Sequence, residues 1–204
     1  MIWILYLTLF ILSFTLSVLG AQTWMFVTLL ILFVASSFLA LLYPLFWQKD
    51  AEKVKRYLLK SKQPYYRFLH AFLYEEECEA EMRLTKIKQV QERKYAEILL
   101  FTQQERWADV KAHLQTMKKS NLTHYYAAIV AMEEGRQKDY EQHKNQLKDP
   151  HYVTWLTVEE LRRNGNKNEA LTILEKQIKT LGGLKLLSAL HYKDKLQHKL
   201  NAQN

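Results

Sequence analysis

The segment WLTVEELRRNGNKNEALTIL, residues 155–174, starts on an aromatic, reaches Gly165 ten residues on, and places Ala170 and Leu174 five and nine residues past that glycine. Thirty residues upstream the same positions are Tyr125, Gly135, Tyr140 and Lys144. Two further steps of thirty give Tyr95, Glu105, Val110 and Leu114, then Tyr65, Glu75, Ala80 and Leu84. A further column, twelve residues after each turn position, reads Ile87, Met117, Leu147 and Gln177. One column is wholly aromatic and the others are mostly apolar. Within each unit apolar residues recur at three and four positions, the period of a helix with one buried stripe. A fixed repeat of this length with helical spacing inside it marks helical hairpins that bury their apolar faces only against one another. The pattern predicts four helix pairs over residues 64–180.

Upstream of the repeats the composition changes abruptly. From Met1 to Gln48 there is no Lys, Arg, Asp or Glu, so the whole excess of 29 basic over 21 acidic residues, a net charge of +8, falls on the remainder. An apolar stretch of this length is more than twice the roughly 30 Å hydrocarbon thickness of a bilayer if drawn as one helix at about 1.5 Å per residue. The break falls at Gly20-Ala21-Gln22, which predicts two transmembrane helices within residues 1–47, one over 2–19 and one over 23–46. Trp24, Tyr43 and Trp47 sit toward their ends, where amphipathic rings favour the interface. Neither span holds an Asp, Glu, His, Lys or Arg, so the proton relays and ion sites of pumps are not expected there. Ser36 and Ala40 form a small-residue pair of the kind that lets helices approach closely.

Residues 48–63 form a basic juxtamembrane neck that reads as an extension of the second helix, with Lys49, Lys53, Lys55 and Arg56 as candidate contacts to lipid headgroups. By the positive-inside rule this neck places the repeats in the cytoplasm, and with two spans the N-terminus lies there too. A second interpretation makes the first twenty residues a cleaved signal peptide; it lacks a basic n-region and leaves the repeats on the same side. After Gly182-Gly183 a last helix of mixed polarity, in residues 184–204, is expected to cap the open end of the array.

The unit around Gly165, with Ala170 and Leu174 at their offsets, resembles a tetratricopeptide repeat. The third unit shares Gly135 and Leu147 but carries Tyr140 where that family has a small residue and Lys144 where it has an apolar one. The first two units have no turn glycine, and the period is thirty where the family uses thirty-four. The resemblance implies an all-α fold, a right-handed solenoid of about four antiparallel helix pairs, whose concave groove binds a peptide or protein. It also implies that the groove is lined by Tyr65, Tyr95, Tyr125 and Trp155, with Leu69, Leu99 and Ile129 one turn further on. The alternative for these rings is packing between neighbouring helices, which is the usual place of aromatics at helical spacing.

Enzyme chemistry has no visible constellation. There is no glycine-rich phosphate loop, no nucleophile elbow and no pair of His at zinc spacing beside a carboxylate. His113 and His143 are repeat equivalents, about 10 Å apart if the hairpins pack normally, too far to share one metal. Cys78, the single cysteine, lies among glutamates that disfavour its thiolate. No catalytic residue, metal or cofactor is therefore expected, nor a small-molecule substrate. Lys and Glu are interspersed through the repeats as on solvated helix faces, so charge alone decides nothing, and nucleic acid bound by the basic repeats with a steep salt dependence is a third and less expected reading. The expectation is a scaffold integral to the cell membrane that holds a protein partner, or else an assembly subunit of a larger membrane complex whose hairpin makes the main contacts.

Overall fold

The computed structural model describes the backbone of residues 2–18, 20 and 22–201, and side chains over most of that range. Ala21 of the expected turn and residues 1, 19 and 202–204 of the end segments lie outside it. The regular structure among the described residues is all α-helix, with no strand.

Helix α1 (Ile2–Val18) and helix α2 (Thr23–Phe46) lie side by side, and the Tyr6 and Phe33 rings meet with centroids 5.3 Å apart. Between them Gly20 adopts φ +69, a conformation open to glycine without strain. Against the expectation of two full spans, one helix among the described residues is long and apolar enough to cross a membrane: α2, with 24 residues and a mean hydropathy of 2.6. The 17 residues of α1 give it a length of about 25 Å.

The neck does not continue α2. Helix α2 ends at Trp47, whose N–H reaches Tyr43 O at 3.0 Å, and a new helix, α3 (Ala51–Lys60), starts under the Asp50 cap, which accepts from the Lys53 N–H at 3.2 Å. A capping aspartate is what turns a continuous basic extension into a separate element. Val54 and Leu58 of α3 are buried, and Lys53, Arg56 and Lys60 face outward.

Four helix pairs follow: α4 (Pro64–Tyr74) with α5 (Glu77–Leu84), α6 (Val90–Gln103) with α7 (Trp107–Gln115), α8 (Asn121–Glu133) with α9 (Gln137–Lys144), and α10 (Pro150–Arg163) with α11 (Lys167–Ile178). The last three pairs share one turn. Glu105 (φ 56), Gly135 (φ 70) and Gly165 (φ 82) all take the left-handed conformation. The following N–H in each case reaches back five residues: Arg106 to Phe101 O at 2.8 Å, Arg136 to Ala131 O at 2.8 Å, Asn166 to Leu161 O at 2.9 Å. This is the Schellman closure of a helix end, and Glu105 performs it without being glycine. Glu75 stands at the matching place but in extended backbone, so the first turn differs.

The column five residues after each turn is fully interior, with Ala80, Val110, Tyr140 and Ala170 at 1, 0, 2 and 0 % exposure. The column twelve after holds Ile87 and Met117 buried and Leu147 half-buried, but in the fourth unit α11 runs a turn longer and Leu181 closes the core beside Gln177. The two departures of the third unit from the tetratricopeptide pattern answer each other: the Tyr140 hydroxyl donates to Glu160 of α10, and Lys144 Nζ lies 2.8 Å from the same carboxylate.

Helix α12 (Gly183–Asn201) packs on α11, as a cap would, but also on α2, α3 and α4, so it does more than cover an open end. Leu187 joins Leu45, Val54, Leu58 and Phe68 in one core that unites the base of α2, the neck, the first pair and α12. The physical reason is at Gly182-Gly183. Gly183 has φ +58, its N–H donates to Gln48 O at 2.8 Å, and Lys49 Nζ donates to Thr180 O at 2.7 Å and Leu181 O at 3.0 Å. This clasp bends α12 back along the beginning of the array.

Candidate functional site

The four rings of the aromatic column pack against neighbouring helices, and each stays partly exposed. Tyr125 sits among Tyr126, Tyr152 and Trp155, at centroid distances of 5.2, 5.5 and 6.2 Å, and Tyr152 meets Trp155 edge-on at 5.3 Å. Burial, aided by Glu159, pushes the Tyr125 hydroxyl well above the usual range, and burial does the same for Tyr65 and Tyr126. Tyr65 stacks near Phe68 against the first core, and Tyr95 packs on the cluster around Ile98 and Val110. Leu69 and Ile129, offered as groove residues, are 8 and 7 % exposed, and Leu99 wedges half-buried between two clusters. Leu69 and Ile129 therefore present almost no surface to a partner. Spacing placed all seven on one helix stripe, but it does not distinguish a stripe facing a groove from one facing the next helix. Tyr152, which joins these rings, falls on no repeat column and so gives no periodic signal.

The neck cations separate into two kinds. Lys49 is engaged in the clasp, and the Lys55 ammonium lies 4.3 Å over the Tyr74 ring. Lys53 and Arg56 stand outward, Lys53 loosely paired with Asp50 at 3.5 Å and Arg56 reaching only the Glu52 carbonyl.

On the opposite face of α8 from Tyr125 and Ile129 a cleft of about 270 Å³ opens between α7, α8 and α9. Leu114, Ala127 and Val130 form its floor, and Lys111, Lys119 and Arg136 its rim. At one end the Nδ1 atoms of His124 and His143 are 3.4 Å apart. Burial holds both imidazoles below the usual histidine range, reinforced at His124 by Lys119 and at His143 by His124, Arg136 and Lys119. His113, the repeat equivalent of His143, instead meets Glu97 at 2.7 Å. No group of three or more His, Cys, Asp or Glu able to hold a metal occurs among the described residues.

A second cleft, about 430 Å³, lies where the third turn meets α10. Its polar groups already pair: Tyr140 with Glu160, and Arg163 with the Met132 carbonyl and, at 3.5 Å, Glu133. No family model, curated protein or solved structure matches the chain.

Proposed function

We propose that this chain is a membrane-anchored adaptor. In this reading α1 and α2 cross the bilayer as a two-helix hairpin, the four pairs stack as a short solenoid on the cytoplasmic side, and that module holds a protein partner close to the membrane. The observation that carries the proposal is the clasp. Lys49, Gly183 and Leu45 fix the base of α2 to α12 and to the core of the first pair, so the repeats sit directly on the stem without a flexible linker. A partner held by the repeats would then be held at a defined distance from the lipid. Lys53 and Arg56, the outward cations of the neck, suit contact with anionic headgroups, each worth up to about 1 kcal/mol.

A second reading, an assembly subunit gripped by its hairpin, is favoured by Ser36 and Ala40, a small-residue pair exposed on α2. Photocrosslinkers placed in native membranes separate the two. Capture of one protein from exposed repeat positions supports the adaptor; capture only from the Ser36–Ala40 face supports the subunit.

A further inference from the structure

The cleft between α7, α8 and α9 combines an apolar floor with a rim that carries one positive charge in excess. No acidic side chain lines it. Of its three cations, Lys111 reaches Glu134 at 3.3 Å, and Arg136 pairs with Glu134 and with Asp139. Lys119 has no acidic partner within ion-pair reach among the described residues. Three cations thus face two carboxylates set behind the rim. The two imidazoles at the cleft end meet through their Nδ1 atoms at 3.4 Å, and burial disfavours the charged form of both.

We propose that this cleft seats an acidic segment of the protein partner, with one apolar side chain on the floor of Leu114, Ala127 and Val130 and a neighbouring carboxylate against Lys119 and the His124–His143 pair. This rests on the adaptor reading and supplies the contact it lacks, on the face of α8 opposite the aromatic seam. The size suits the occupant. A cleft of about 270 Å³ over an apolar floor has room for a side chain or two. The sign of the charge suits it as well, because a metal cation would be repelled by Lys119 and Arg136 while a carboxylate is attracted. Arrival of a carboxylate also favours the charged form of the histidines, so binding takes up protons. The groups facing the pair are Lys111, Lys119 and Arg136, with Glu134 and Asp139 behind them; their sum is positive and suppresses that charged form until the acidic segment is present.

The test uses the full chain in its membranes, with a photoreactive phenylalanine at Gln115 on the cleft rim and, separately, at Asn168 on exposed α11. The segment captured at Gln115 is sequenced, synthesised with a fluorescent label, and titrated by anisotropy against the full chain in nanodiscs. The expected segment has Asp or Glu beside an apolar residue. Lys119→Glu should weaken its binding about tenfold or more, and Lys60→Glu, on α3 and outside the cleft lining, less than about twofold. Wild-type affinity should rise between about pH 7.5 and about pH 6. A basic or uncharged segment, or equal affinity of the Lys119→Glu protein, overturns the proposal. Capture at Asn168 but not at Gln115 removes the cleft and leaves the adaptor standing; capture from neither position removes both.

Discussion

Gly183 lies with its backbone against that of Leu45: a Cβ built on Gly183 would come 2.6 Å from Phe46 N and closer still to the Leu45 carbonyl. The terminal helix and the base of the apolar stem are therefore in direct main-chain contact, at a residue whose φ of +58 already favours glycine.

Gly183→Ala should accordingly cost about 3 kcal/mol, from overpacking together with the left-handed backbone. Denaturant unfolding of the purified chain in detergent measures it. An unchanged midpoint would mean that the clasp does not hold α12 in place.

The shared turn predicts opposite signs at equivalent positions. Glu105→Gly should stabilise by about 1 kcal/mol, since it relieves an exposed side chain held at positive φ, and Gly165→Ala should destabilise by a similar amount. Equal and opposite shifts in the melting transition are expected, and shifts of one sign would show that the turns are not equivalent.

Tyr125→Ala removes a half-buried ring that touches three others and should cost about 2 kcal/mol. Loss of partner capture with melting unchanged would restore the aromatic column to a groove.

Stability should fall on both sides of neutrality. His124, His143 and His191 have folded values lowered by burial, so their contribution is present above about pH 6.5 and is lost as pH falls through those lowered values. His143→Asn should flatten part of that decline in a melting-temperature profile. On the alkaline side Tyr152, pushed up by burial to about 12, with Tyr65 and Tyr126 raised further, gives stability present below about pH 10 and lost as pH rises through the folded values. A flat profile up to about pH 12 would contradict the buried hydroxyls.

A fragment of residues 50–204 lacks both Lys49 and Leu45, and should melt well below one that begins at residue 42. Circular dichroism of the two checks it. Equal stability would place the core entirely within the repeats.

The thirty-residue rhythm carried the pair boundaries, because Ala80, Val110, Tyr140 and Ala170 must be interior for each hairpin to close. It could not reveal that Glu105 would behave as a glycine, since the left-handed turn is enforced by packing on both sides rather than by that side chain. The cut between neck and α2 at Asp50 is not a repeat feature; its signal is local, a capping aspartate ahead of Glu52. The cleft was hidden for a different reason. Lys111, Lys119, Arg136, His124 and His143 share no column, and only the stacking of α7, α8 and α9 brings them round one opening. Repeat positions report what each unit does alike, whereas this opening is made by what two units do differently.

Because α12 returns to the first pair, the number of units is counted by the fold itself. An ordinary array lengthens by duplication at little cost, each copy finding the same neighbour. Here a fifth hairpin would carry the tail away from Leu45 and leave Phe68 and Leu58 without Leu187. Growth by copying is closed to this chain, and diversification has to proceed by altering surfaces on a frame of fixed length.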